Sequence, residues 1–121
     1  MKENQNIFIQ YTSYSHFNEL EDVDRELLTK AIELSSDAYA PYSEFNVGAA
    51  LLLQNGKIVA GSNQENAAYP SGLCAERVAM FAASANFRDE EMQTLAIYTA
   101  SETTAQKQIS PCGSCRQVMV E

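Results

Sequence analysis

The chain has 121 residues, 45% hydrophobic and 20% charged, which suits one folded domain with a real core and argues against disorder. Its net charge of -8, with only 8 scattered Lys and Arg, argues against binding long DNA or RNA and favours a small-molecule substrate. No stretch has the apolar length of a secretory signal or a membrane span, so a cytoplasmic setting is expected, where the three cysteines are thiols or metal ligands sooner than disulfides.

Residues 1–22 read as an N-terminal arm ahead of a single unit over 23–121. Within the arm, IFIQY (7–11) is expected to add a strand to the domain, and His16, the one histidine, reads as a plain polar residue. A first helix is expected over 23–39. Leu27, Leu28, Ala31, Ile32, Leu34 and Ala38 recur at helical spacing, Asp22 or Asp24 is placed to cap the start, and Pro41 stops it. FNVGAALLL (45–53) reads as a buried strand, Asn55-Gly56 as a tight hairpin turn, and 57–63 as the returning strand. The alanine-rich stretch 73–87 reads as a second, closely packed helix, and 94–100 as a third strand. A polar loop follows, and Pro111 is expected to open a third helix at CGSCRQVMVE. The order α-β-β-α-β-α gives an α/β layer fold with mixed strand directions. Three strands and a short last helix make a thin domain, so further chain is expected after Glu121.

Two short stretches carry the chemistry. Cys112-Gly-Ser-Cys115 is a C-x-x-C, which alone fits a redox dithiol, half of a zinc site, or coincidence. The redox reading prefers a position after a first strand, whereas this pair comes after two helices. A zinc site needs a further ligand, and the remaining cysteine is Cys74. Three protein ligands with the fourth position left to water describe a catalytic zinc rather than a closed structural one. Cys74 falls at the start of the second helix and the other pair at the start of the third, where free N–H groups and the helix dipole favour thiolates. Three thiolates weaken zinc as a Lewis acid, and a cation such as Arg77 beside the sulfurs draws charge back. Glu76 lies within one turn of Cys74, beside the metal without binding it. A carboxylate there can take a proton from water and pass it to a substrate atom. Taken alone, a first-turn glutamate is simply favoured by the helix dipole; the downstream P-C-x-x-C shifts the reading to proton transfer.

The C-x-E…P-C-x-x-C arrangement resembles the signature of zinc-dependent nucleoside and nucleobase deaminases. The cysteine before the glutamate is similar to the small, homotetrameric, three-cysteine cytidine deaminases. Three segments carry the likeness: APYSEFNVGAAL (40–51), GSNQENAAYPSGLCAERVAMF (61–81) and SPCGSCRQVMVE (110–121). The resemblance implies a three-layer αβα fold with a central mixed sheet, apparently truncated at its C-terminus, because family members continue with further strands and a late aromatic residue. It implies Zn²⁺ on Cys74, Cys112 and Cys115, with Glu76 shuttling protons. Phe45 would stack on the pyrimidine, Asn63 and Glu65 would hydrogen-bond the ribose hydroxyls, and the backbone at Ala75 would read the base carbonyl. Arg77 would hydrogen-bond the cysteine sulfurs. Ala67 and Tyr69 would reach a neighbouring subunit's site in a homotetramer. The implied reaction is hydrolytic deamination of cytidine and 2′-deoxycytidine in pyrimidine salvage.

Without that resemblance, Phe45 reads as core, Asn63 and Glu65 as polar loop residues, Asn66 as a turn residue, and Tyr39 and Tyr42 as packing. Four rivals stand beside that reading. A blasticidin-type antibiotic nucleoside deaminase would use the same zinc chemistry. A nucleic-acid deaminase conflicts with the charge of -8. A non-catalytic zinc-stabilised interaction domain gives Glu76 nothing to do. A dithiol redox protein predicts a Cys112–Cys115 disulfide and no zinc.

Overall fold

The structure, a computed structural model, describes residues 1–100 and 109–121. The polar loop expected between the third strand and the last helix falls mainly outside the described residues.

Helix α1 (Asp22–Ser35) buries Leu27, Ala31 and Ser35 along one face, the stripe its apolar spacing prescribes. It stops short of the expected residue 39. The Ser35 hydroxyl bonds back to the Ile32 carbonyl at 2.6 Å. The N–H groups of Ser36, Asp37 and Ala38 then reach carbonyls only three residues back. This tightened turn, in a run of Ser, Ser and Asp that competes for backbone groups, ends the helix before Pro41 has any effect.

Strand β1 (Val47–Leu53) turns into β2 (Ile58–Ser62). The Asn55-Gly56 turn forms as a three-residue loop. Gly56 has φ +86° and donates to Leu53 O at 2.9 Å, while Asn55 Oδ1 accepts from the Lys57 N–H at 3.0 Å. Within this loop only Gly56 has positive φ, so this is a type I turn closed by a left-handed glycine, not the two-residue turn with both centres left-handed.

Helix α2 (Ala75–Asn86) then leads to β3 (Met92–Thr99), and α3 (Gly113–Val120) closes the described chain. Pro111 lies outside α3: Cys112 is its N-cap, so the proline precedes the helix rather than opening it.

The sheet order is β2-β1-β3. The outer strands run the same way on either side of the opposed β1, so both neighbouring pairs are antiparallel. The parallel pairing among the described residues is the isolated bridge Tyr39–Gln64.

Both faces of β1 are covered, which is why its sequence is a continuous apolar run rather than an alternation. Ala49, Leu51 and Leu53 pack with Ala75, Ala79, Met80 and Ala83 of α2. On the other face, Ala50 packs with Leu27 and Ala31 of α1. The result is the expected α/β layering, with helix on each side of the sheet. A Cβ at Gly48 would lie 1.8 Å from the Ala31 carbonyl oxygen, so α1 rests directly on the β1 backbone there.

Residues 7–11 form no strand, contrary to expectation; Ile7 is 90% and Phe8 91% exposed. Their composition favours extended chain, but a strand exists only when a ladder partner is available, and none of the three strands pairs with this segment.

Candidate active site

Two helix starts meet at the C-terminal end of β2. Cys74 is the N-cap of α2, and Cys112 is the N-cap of α3. Cys115 follows one turn later and is fully buried, which puts both sulfurs of the C-x-x-C on one side of α3. The Cys112 Sγ lies 3.6 Å from Cys74 Sγ and 3.6 Å from Cys115 Sγ. All three sulfurs fall within 4.8 Å of one another.

These distances test whether zinc fits. Zn–S bonds of about 2.3 Å at tetrahedral angles separate sulfurs by about 3.8 Å. The observed spacing meets that requirement, and three soft donors suit zinc. Arg77 Nη2 donates to Cys74 Sγ at 3.5 Å. Its guanidinium is raised above its ordinary pKa first by that hydrogen bond, with Cys115 adding to it, so its charge is secure beside the sulfurs.

The thiols themselves are unequal. N–H groups of α3, that of Cys115 foremost, pull the Cys112 thiol below its usual value. Burial pushes the Cys115 thiol up to about 12, helped by its hydrogen bond with Cys112 and by the negative charge of Glu76. A cation among the sulfurs removes that penalty.

Glu76 is only 6% exposed, in the first turn of α2, and it lines a cavity of about 880 Å³ together with Cys74 and Cys112. A buried carboxylate next to a thiol cluster is costly unless it has a task or a cation to face. Ala75, the first residue of α2, is fully buried at the same cavity wall. Helix starts leave N–H groups without intrahelical partners, so this wall offers donors to a ligand.

The other predicted contacts line the same cavity: Phe45, Asn63, Glu65, Ala67 and Tyr69. Phe45 is half-buried at the entrance to β1. Asn63 is nearly buried and already engaged. Its Oδ1 accepts from the Val47 N–H at 2.9 Å and its Nδ2 donates to the Phe45 carbonyl at 2.8 Å. One Nδ2 hydrogen remains to offer a ligand. Glu65 accepts from the N–H groups of Tyr42 at 3.0 Å and Ser43 at 3.1 Å, and from the Ser43 hydroxyl at 2.5 Å. The Ser43 hydroxyl, then its N–H, hold the Glu65 carboxyl below its ordinary value, with the Tyr42 N–H adding to them.

Gln64 ties these segments together. Its backbone exchanges two hydrogen bonds with Leu73, each 2.9 Å, which brings Cys74 beside the end of β2. Tyr39 brackets the same stretch by donating to Asn63 O at 2.9 Å and accepting from the Glu65 N–H at 2.8 Å. Asn66 closes a local turn through Ala68 at 2.8 Å, as its plainer reading has it. Tyr69 is 92% exposed at the cavity rim. His16, exposed in the arm, is not among the clustered ligands.

Ser43, together with Val47 and Ile97 of the apolar wall, escaped the reading of the sequence. The available signal for Ser43 was weak: a serine after Pro41-Tyr42 announces a turn, not its distant partner.

Comparison with known proteins follows the same outline. A family model described as the cytidine and deoxycytidylate deaminase zinc-binding region matches residues 21–121. The cytidine deaminase of Halalkalibacterium halodurans is 45% identical over 100 residues, 82% of this chain and 72% of that one. The cytidine deaminase of Sporosarcina psychrophila is 42% identical over 100 residues, covering 83% and 69% of the two chains. The crystal structure of a cytidine deaminase from Burkholderia pseudomallei superposes with a TM-score of 0.71 at 44% identity, over 79% of this chain and 73% of that one. That of the Mycobacterium tuberculosis cytidine deaminase gives 0.69 at 35% identity, over 83% and 76%.

Proposed function

The chain belongs to the cytidine and deoxycytidylate deaminase zinc-binding family, and from that premise we propose that it hydrolyses cytidine and 2′-deoxycytidine to uridine and 2′-deoxyuridine in pyrimidine salvage. The observation that carries the reading is the buried Glu76 beside three clustered thiols at the wall of a cavity with room for a nucleoside.

Cys74, Cys112 and Cys115 would hold the zinc ion, whose charge would supply an acidified water as nucleophile at neutral pH. Glu76 takes the proton given up by the attacking water and delivers it to N3 of the base. The hydroxyl oxygen adds at C4; Glu76 then takes the remaining proton of that hydroxyl and passes it to the amino group, the C4–N bond breaks, and the electron pair left on oxygen closes the C4 carbonyl. Nucleoside and water become the uridine product and ammonia, with no other reactant. Phe45 stacks on the base, a backbone N–H at Ala75 holds the base carbonyl, and Asn63 and Glu65 hold the ribose hydroxyls. Arg77 keeps negative charge on the sulfurs in check.

In this reading residues 23–121 form the catalytic unit and 1–22 an arm. The assembly is a homotetramer in which Ala67 and Tyr69 reach a neighbour's site; the exposure of Tyr69 supports that placement. No described helix is long and apolar enough to cross a membrane. The reading sets the enzyme in the cytoplasm acting on small nucleosides, and the net charge of -8 disfavours long nucleic acid as substrate.

The test is the change in ultraviolet absorbance of cytidine as the amino group leaves, with ammonia measured in parallel. Conversion is expected, lost on chelation and regained with zinc. No conversion by the zinc-loaded chain would overturn the reaction and leave the family membership standing.

A further inference from the structure

We infer that Ser43 is a positioning residue for Phe45, its hydroxyl coupling the Glu65 carboxylate to the Phe45 backbone. The inference rests on the deamination reading above, in which Phe45 stacks on the base.

The Phe45 N–H donates to Ser43 Oγ at 3.0 Å, and the Ser43 hydroxyl donates to Glu65 Oε2 at 2.5 Å. The bridging group must accept from an N–H and donate to a carboxylate at once. A hydroxyl does both, whereas a methyl does neither. The charged acceptor shortens and strengthens the outer bond. The Tyr42 and Ser43 N–H groups bind the other Glu65 oxygen, so the carboxylate grips the whole turn. Glu65 stands held below its ordinary pKa by these same bonds, Ser43 first, and stays ionised at neutral pH.

The path between Ser43 and Phe45 is unusual. Glu44 has φ 57°, left-handed for a residue with a Cβ, and its N–H closes one helical turn onto Ala40 O at 3.0 Å. A left-handed residue persists where neighbouring bonds over-determine it. Here the serine bridge lies on one side of Phe45. The Asn63 amide lies on the other, taking the Phe45 carbonyl and the Val47 N–H. Both polar backbone groups of Phe45 are thereby anchored, and Phe45 lines the cavity that Glu76 also lines. Ser43 itself is exposed, which makes it dispensable to the two cores.

The experiment compares Ser43→Ala and Ser43→Thr in the zinc-loaded protein. Stacking on the base acts on bound substrate and transition state alike, so Ser43→Ala should raise KM for cytidine about tenfold and leave kcat within about twofold. Zinc content should be unchanged, and Ser43→Thr should restore KM, because it keeps the hydroxyl. Hydrogen exchange at the Phe45 amide gives a second readout that needs no turnover. It should quicken about tenfold or more in Ser43→Ala while the Ala49 and Ala50 amides keep their protection. Unchanged KM and unchanged Phe45 exchange would overturn the inference, as would a Ser43→Thr variant as defective as Ser43→Ala. If the parent chain turned over no cytidine, the deamination reading would fall; Phe45 exchange would still decide whether the serine bridge holds that backbone.

Discussion

Asn63 holds Phe45 through its side chain: Nδ2 donates to the Phe45 carbonyl at 2.8 Å while Oδ1 takes the Val47 N–H at 2.9 Å. A residue read as a ribose contact is thus also a clamp on the start of β1. Asn63→Ala should cost stability as well as binding, because it leaves both backbone groups unpaired near the core, at about 1–3 kcal/mol for each group that water does not reach. Urea unfolding checks this. A variant with wild-type stability and only a raised KM would confine Asn63 to the ligand.

Glu76→Gln should fold, keep its zinc and lose turnover. The change keeps shape and removes the proton carrier; general acid–base catalysis alone is worth about 10²–10⁴-fold. Single-turnover kinetics with metal analysis of the same sample measures it, and retained wild-type kcat would sink the mechanism.

One zinc per chain is expected, bound through sulfur. Cys112 is exposed and outside both apolar clusters, so Cys112→Ala should lose the metal while the sheet and helices persist. Metal analysis and circular dichroism report the two properties separately. A Cys112→Ala protein with full zinc occupancy would remove that residue from the site.

Gly48→Ala should be among the most damaging single-methyl changes in this chain. The added Cβ would meet the Ala31 carbonyl oxygen at 1.8 Å, backbone against backbone, so no rotamer change relieves it. Overpacking typically costs about 1–3 kcal/mol, and the rigidity of both partners places this case at the upper end or beyond. Thermal unfolding would show it, and a melting temperature like that of the parent would mean α1 can slide off β1 freely.

Acid should release the turn at 41–45. The pKa of Glu65 is lowered in the fold, chiefly by Ser43, so the unfolded chain binds the proton more readily. Its contribution is therefore present above the unfolded carboxylate value of about 4.3 and is lost as pH falls through the lower folded value. Amide resonances of Tyr42 and Ser43 should follow that titration. The Glu65→Gln variant should lack it, and an unaltered acid transition in that variant would assign the turn's pH response elsewhere.

Much of the molecule was legible along the chain because the relevant signals are local. Helical spacing from Leu27 to Ala31 marked α1, and an unbroken apolar run marked a strand covered on both faces. Cysteines at two helix starts, with a glutamate two residues after one of them, announced the thiol cluster and its neighbour. The misreadings had two sources, a distant partner that was missing and a local bond that competed. IFIQY has strand composition but no ladder partner. The end of α1 was settled by a Ser35 back-bond rather than by Pro41. Nothing near Ser43 or Asn63 in sequence names their partners, which lie 22 and 18 residues away.

The sequence by itself determined which side chains can bind a soft cation, which can move a proton, and which stretches must be helix or buried strand. Those properties belong to residue chemistry and to periods of a few residues. Only the tertiary structure decided that three sulfurs stand 3.6 Å apart in two successive steps, and that Phe45 is anchored at both its N–H and its carbonyl. Such distances arise from packing two helix starts and a loop around one sheet end, where each hydrogen bond is satisfied by whatever the fold brings near.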